Sequence, residues 1–366
     1  ATSLPSTTRG LRWSSPVGGS SASSTAHLRD DAAPTALAKK IVLVAGVGAV
    51  GGSLCQSLAR LGTGLVIVDP DSFGPDSFRT QWCDADDVGS AKAILLAERL
   101  RPINPAIQIT AAEGCVQELP WQLLHRVDAL VSSGDNLQML IWLGQMAAAF
   151  GKPLVQGAVH RETDSAIVRR WNLNDADSAC PACAAGVADW NRLAARQGCD
   201  FRRLHPVGTK PTRTTPFVCI TAGQMAVAEV IKLLSAAPPA AVAQEVLYSL
   251  QTHRLYATVL ERRTACRCQH RRWQVESLPE RPEQLTLRDL VQRSPWANWD
   301  NWRELEFSSE SPWCHVTACW QCHRRPAVRR FAYAGDPVGE CICGAPLTAQ
   351  PFGLRRVIPL IDLMQR

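Results

Sequence analysis

The run Gly46-Val47-Gly48-Ala49-Val50-Gly51 constrains this chain more than any other feature. It stands directly behind a short apolar, β-branched stretch, Ile41 to Ala45, and opens a segment with Leu54, Leu58 and Leu61 at helical spacing. A buried strand that turns through glycine into a helix commits the chain to a βαβ unit, and so to a parallel sheet. The alternation continues. Leu65 to Val68 reads as a strand, Ser90 to Leu100 as a helix closed by Arg101-Pro102, and Ile107 to Ala111 and Ala129 to Ser132 as strands. Leu137 to Phe150 reads as a helix and Leu154 to Gln156 as a further strand. The expected fold is α/β, built on a doubly wound, mostly parallel sheet.

Glycines at such a turn let backbone N–H groups approach a phosphate or ribose, and the helix N-terminus favours negative charge there. Gly46, Gly48 and Gly51 are therefore candidate nucleotide contacts. Asp69 closes the next strand, where an acid can accept ribose hydroxyls. The bland alternative is a tight turn with no ligand. By itself the motif also suits a nicotinamide or flavin enzyme.

The residues beyond Asp69 point elsewhere. Asp69-Pro70-Asp71 leads to Ser77-Phe78-Arg79-Thr80-Gln81, then Gly89-Ser90-Ala91-Lys92, then Arg101-Pro102-Ile103-Asn104-Pro105, then Ser133-Gly134-Asp135-Asn136. In this order and at this spacing, over about residues 40 to 270, the sequence resembles the E1-like (ThiF, MoeB and HesA) superfamily that activates ubiquitin-like and sulfur-carrier proteins. The resemblance implies a Rossmann-like sheet that binds ATP and Mg²⁺ and adenylates a C-terminal glycine carboxylate. It implies a phosphate contact for Lys92, a Mg²⁺-holding role for Asp135, and ribose binding for Asp69 with Asp71 beside it. Gln81 and Asn136 join the nucleotide contacts. Without the family, Asp135 and Asn136 still fall where a strand meets a helix, at the carboxyl edge where doubly wound folds place ligands; the plain alternative is a helix N-cap. The resemblance further implies a ubiquitin-like or sulfur-carrier partner, an E2-like partner and a homodimer, in which Arg9 or Arg12 would reach the neighbouring site. A nicotinamide dehydrogenase is disfavoured, because it leaves Lys92 and Asp135 without a role.

The chain also departs from that pattern. Ser77 and Thr80 stand where N-x-x-R-Q has Asn and Arg, so Arg79 is one residue early, and Leu140 replaces a customary arginine. A non-catalytic scaffold and an enzyme acting on a peptide or small carboxylate are the competing readings. An acceptor thiol is expected near Thr209, which is not cysteine; Cys199, beside Arg196, Arg202 and Arg203, is the substitute. The basic stretch through Lys210 and Arg213 is either a solvated face or a contact for the substrate's tail.

Fourteen cysteines in a chain with no recognisable secretory leader predict thiols and metal sites in a reducing compartment, the cytoplasm. Cys180-x-x-Cys183 pairs with Cys266-x-Cys268, and Cys319-x-x-Cys322 with Cys341-x-Cys343. Two knuckles of closely spaced thiolates complete one tetrahedral Zn²⁺, so two zinc sites are expected; Cys314, His315 and His323 are substitute ligands for the second. The Trp-rich segment around that second set, with Trp299, Trp302, Trp313 and Trp320, is either a small core around the metal or a docking face. The expected organisation is an irregular arm (1–38), an adenylation domain (39–270) with a crossover loop (184–215), and a zinc-ribbon-like module (271–366). At 46% hydrophobic and 20% charged, with a net charge of +6, the chain is neither wholly disordered nor marked as a nucleic-acid binder. The longest apolar run seen, Leu137 to Phe150, is too short to span a membrane, so no membrane partner is expected.

Overall fold

In the computed structural model the described residues are 12–14, 37–134, 136–196 without 161, 162 and 176, 215–235, 243–275 without 269 and 274, 306–359 without 333, 334 and 351–353, and isolated positions between 275 and 306. Along the first part run β1 (Arg12–Ser14), β2 (Ile41–Ala45), α1 (Ala49–Arg60), β3 (Gly64–Asp69), α2 (Lys92–Leu100), β4 (Ile109–Glu113), α3 (Trp121–Arg126), β5 (Ala129–Ser132), α4 (Leu137–Phe150), β6 (Pro153–His160) and β7 (Ser165–Asn172). Next come α5 (Pro181–Ala184), α6 (Val187–Arg196), α7 (Pro216–Leu234), β8 (Ala243–Ser249) and β9 (Arg254–Val259). One nine-stranded sheet has the order β1-β4-β3-β2-β5-β6-β7-β8-β9.

Its five central strands, β4-β3-β2-β5-β6, are parallel. Antiparallel pairing takes over on both flanks, at β1 against β4 and from β6 through β9. Order reverses at β2, with β3 on one side and β5 on the other, and that switch is where a crevice opens at the carboxyl ends. Burial explains the central strands. Every residue of β3 is buried, as are Val42 to Ala45 of β2, because helices cover both faces. One layer packs Leu54, Leu58, Ala97, Leu100 and Val230 beneath Val42, Val44 and Ile67; the other packs Leu140, Leu143, Met146, Trp171 and Leu173 over Leu43, Val68 and Leu130.

Three elements differ from the sequence reading. Residues 165–172, which the sequence reading assigns to no element, form strand β7. Phe217 to Leu234 also reads as a helix from the sequence and forms α7, but α7 and not α4 is the longest apolar helix among the described residues: by length and composition it could cross a membrane (19 residues, hydropathy 1.7), yet here it lies against α1, β6 and β7. Within the otherwise undescribed arm, Arg12–Ser14 pairs antiparallel with β4, Arg12 opposite Glu113.

The chain divides into two compact units, one made chiefly of residues 6–193 and 209–274, the other including 275–366. In the second lie β10 (Glu306–Val316), β11 (Ala327–Phe331), β12 (Pro337–Glu340), β13 (Pro346–Thr348) and β14 (Leu354–Pro359), in a three-stranded antiparallel sheet β11-β10-β14 and a hairpin β12-β13. Its core is small: Cys314, Cys319, Val328, Ala332, Val338, Cys341, Ala345, Leu347 and Ala349. Trp320 is exposed and takes no part in it, contrary to a Trp-built core. Trp299 and Trp302 lie outside the described residues.

Candidate functional site

The glycine turn is shaped by what surrounds it. Gly46 has φ +85°, and an added Cβ would sit 2.9 Å from the Gly134 nitrogen, so the turn and the loop after β5 close on each other. At Gly51 a Cβ would run into the Gly46 carbonyl and lie 2.5 Å from Ser133 Oγ. Ser133 Oγ donates to the Gly46 carbonyl and clamps the turn. Gly48 is different. A Cβ there would meet nothing nearer than Gln81 Oε1 at 4.0 Å. Packing does not require glycine at 48, so its bare backbone faces open space at the start of α1.

Asp69, at the end of β3, is buried and accepts two backbone N–H bonds, from Val47 at 2.6 Å and from Asp71 at 2.8 Å. It thus ties the glycine turn to the loop behind it. Burial raises its carboxyl pKa above the ordinary range, although Lys92 and the two backbone donors pull it down. Lys92 opens α2. Its backbone N–H donates to the Asp71 carbonyl and its Nζ to Asp71 Oδ2 at 3.2 Å, with the lysine side chain only 12% exposed. Gln81 Nε2 reaches Ser77 Oγ at 3.4 Å, while its buried Oε1 has no hydrogen-bond partner among the described residues. Asn136 caps α4 by accepting from the N–H groups of Gln138 and Met139.

The structure therefore brings Gly46, Gly48, Gly51, Asp69, Asp71, Gln81 and Lys92 to one edge of the sheet. Arg79 is not drawn in: its side chain is 74% exposed and pairs with Asp76 at 3.7 Å. Leu140 is buried in the core. Asp135 and Cys199 lie outside the described residues, as do the crossover positions 197–214. Sequence reasoning missed Arg99, which holds the 71–91 loop onto α2 through the Trp82 carbonyl at 2.7 Å, Asp87 at 2.5 Å and Asp84 at 3.2 Å. Its position in the last turn of a regular helix, where a basic residue is ordinary, gave no signal of that role.

The described residues also hold two cysteine clusters. Donor atoms of Cys180, Cys183, Cys266 and His270 all lie within 4.8 Å of one another. Sγ separations are 3.8 Å for Cys180–Cys183 and 3.6 Å for Cys180–Cys266, and Cys183 Sγ is 3.5 Å from His270 Nε2. A tetrahedral zinc with ordinary bond lengths requires sulfur–sulfur edges of about 3.8 Å and sulfur–nitrogen edges of about 3.6 Å. The donors fit. Backbone N–H groups of Arg263 and Cys268 also point at Cys183 Sγ and Cys266 Sγ, the bonds that stabilise metal thiolates. The fourth donor is His270, which the sequence reading passes over. Cys268, expected there, lies instead beside Cys180, whose thiol pKa it pushes up ahead of burial. Burial holds His270 toward the neutral form that ligates, and its ring also bonds the Ser178 backbone.

In the second unit Cys319, Cys322, Cys341 and Cys343 form the other set. One pair sits in the turn after β10 and the other in the β12–β13 turn, with Cys319–Cys343 at 3.6 Å and Cys322–Cys341 at 3.5 Å. This set also fits a tetrahedral ion.

Comparison with known proteins agrees with this fold. The profile of the ThiF family matches residues 25–270. The chain is 34% identical over 127 residues to the SAMP-activating enzyme E1 of Haloferax volcanii, covering 33% of this chain and 46% of that protein. It is 30% identical over 128 residues to the sulfur carrier protein adenylyltransferase of Thermus thermophilus, covering 34% and 47%. The chain thus spans about half the length of the curated relatives it matches. Among solved structures, E. coli MccB shares the fold with a TM-score of 0.52 at 20% identity, over 68% of this chain and 70% of that one.

Proposed function

The chain belongs to the ThiF family, and from that premise we propose that it is an E1-like adenylating enzyme whose substrate is the C-terminal glycine of a ubiquitin-like or sulfur-carrier protein. A carboxylate oxygen of that glycine attacks the α-phosphorus of ATP. The bond to the bridging oxygen breaks, pyrophosphate leaves with the electron pair, and an acyl-adenylate remains.

The observation that carries this reading is the open backbone at Gly48 set between Asp69 and Lys92. Gly46, Gly48 and Gly51 present N–H groups to the nucleotide, and Asp69 accepts its ribose hydroxyls. Lys92 supplies positive charge to the phosphates, held ready by Asp71. Gln81 Oε1, without a hydrogen-bond partner among the described residues, lies 4.0 Å from where a Cβ on Gly48 would stand. Asp135 would hold the Mg²⁺ that accompanies ATP, and that ion would supply positive charge to the departing pyrophosphate. The acyl group then passes to a thiol, on Cys199 or on an E2-like partner, as AMP leaves. Both cysteine clusters hold structural zinc, with His270 as the fourth ligand of the first. The enzyme works as a cytoplasmic homodimer.

ATP–pyrophosphate exchange tests the reading. Exchange should appear with ubiquitin-like proteins encoded near this gene, vanish when their terminal glycine is removed, and vanish in Asp135→Ala and Lys92→Ala. The solvent-facing Arg79 favours one competitor, a non-catalytic scaffold. Folded, zinc-loaded protein that binds such partners without any exchange would decide for it.

A further inference from the structure

The second unit carries a surface that neither the nucleotide edge nor the metal cluster uses. Trp320 occupies the turn between Cys319 and Cys322, and Ile342 the turn between Cys341 and Cys343. The thiols meet across these turns, Cys319 with Cys343 and Cys322 with Cys341, so the two tips are held side by side. Both side chains face solvent: Trp320 is 71% exposed and Ile342 80%. The core beneath is closed without them. Two large apolar side chains at the two tips of one cysteine cluster take no part in the core formed by the described residues, and such exposure marks contact surfaces.

The rim is basic. His323 N–H donates to the Cys319 carbonyl at 3.0 Å, and Cys319 N–H to the Arg324 carbonyl at 2.8 Å, so His323 and Arg324 fold back against the Trp320 turn. Both are exposed, as is Arg325. From Trp320 to Ala332 the chain holds four arginines and no acid.

We propose that this tip docks an acidic polypeptide segment bearing a bulky apolar side chain. The apolar residue covers Trp320 and Ile342, and the flanking carboxylates meet Arg324 and its neighbours. Tryptophan and arginine together are the residue types that carry most binding energy at protein interfaces, and the charge selects the partner's sign. Single-stranded nucleic acid fits less well. It stacks successive bases on successive aromatic faces, and this tip offers one aromatic beside an aliphatic residue. The proposal does not depend on the adenylation reading, since the tip belongs to the second unit alone.

The test uses the full zinc-loaded chain, immobilised and panned with a phage-displayed library of random peptides, in parallel with a pool of random single-stranded DNA. The selected peptides should share an aromatic or aliphatic residue flanked by Asp or Glu. The leading peptide, made with a fluorescent label, should lose about tenfold or more in affinity against Trp320→Ala/Ile342→Ser and against Arg324→Glu. Trp320→Phe should retain most of the binding. Zinc content, measured on every variant, separates a lost contact from a lost fold; should the double variant lose metal, Arg324→Glu and Trp320→Phe decide. Peptides without that pattern, peptide binding indifferent to these changes, or DNA selected in a Trp320-dependent way would overturn the proposal.

Discussion

Replacing His270 should cost the first cysteine cluster its metal, whereas replacing Cys268 should not. The four donors Cys180, Cys183, Cys266 and His270 all lie within 4.8 Å of one another, and the Cys180–Cys183, Cys180–Cys266 and Cys183–His270 separations of 3.5 to 3.8 Å match edges of a zinc tetrahedron. Structural zinc contributes roughly 10–16 kcal/mol in small folded sites, so one ligand of four accounts for about 3 kcal/mol. His270→Ala should therefore weaken zinc at this cluster on the order of a hundredfold. Cys268→Ala removes a thiol beside Cys180 but keeps the backbone N–H bond from residue 268 to Cys266 Sγ, and should cost about 1 kcal/mol of stability with no loss of metal. Metal analysis after mild chelation gives the first reading: two zinc ions per chain in the parent and in Cys268→Ala, one in His270→Ala. Cobalt substitution gives the second, because three thiolates with one imidazole absorb at higher energy than four thiolates. Retention of both ions in His270→Ala together with loss of one in Cys268→Ala would refute the assignment.

Gly48→Ala should leave the melting temperature within a degree or two of the parent yet abolish binding of a fluorescent ATP analogue, because its Cβ meets only open space in the protein; Gly51→Ala, driven into the Gly46 carbonyl, should lose stability as well, by about 2 kcal/mol or more in denaturant melts. Asp69 should give nucleotide binding a pH dependence. Its raised pKa means the native state holds that proton more tightly than the unfolded chain, so this group's contribution to stability is full below the ordinary carboxylate pKa and is lost as pH rises through the raised value. ATP-analogue affinity should rise over that same interval as the ribose acceptor ionises, and Lys92→Met should shift the rise to higher pH; an unshifted curve would count against the assignment. Glu229→Ala should destabilise the fold by about 3 kcal/mol in urea melts, because it removes the carboxylate paired at 3.0 Å with an Arg170 that is only 4% exposed and leaves that charge to neutral partners such as Gln244.

Why some of this could be read from the chain and some could not comes down to the range of the interactions. The strand–turn–helix from Ile41 to Arg60 is local: its apolar run, glycines and helical spacing all lie within one βα unit, and the structure places strand and helix there. Asp69 and Lys92 come from the same unit and its successor. Strand β7 escaped for the opposite reason. Its Arg169 and Arg170 look like solvated charges in sequence, but they are satisfied by Glu245 and Glu229, on β8 and α7. Nothing within the segment reveals those partners, so a strand at the heart of an antiparallel flank reads as polar loop. The metal cluster fails in the same way on a smaller scale. Spacing favours the nearer thiol, Cys268, but the path of the chain from Cys266 to His270 turns the imidazole toward Cys183 and leaves Cys268 against Cys180. For Trp320 the sequence leaves a core and a docking face both open, and the structure decides against the core, because alanines, valines and a leucine around the cysteine cluster already fill it. An aromatic residue that folding does not require, fixed at the tip of a rigid turn and flanked by arginine, is then explained by what it meets outside the chain.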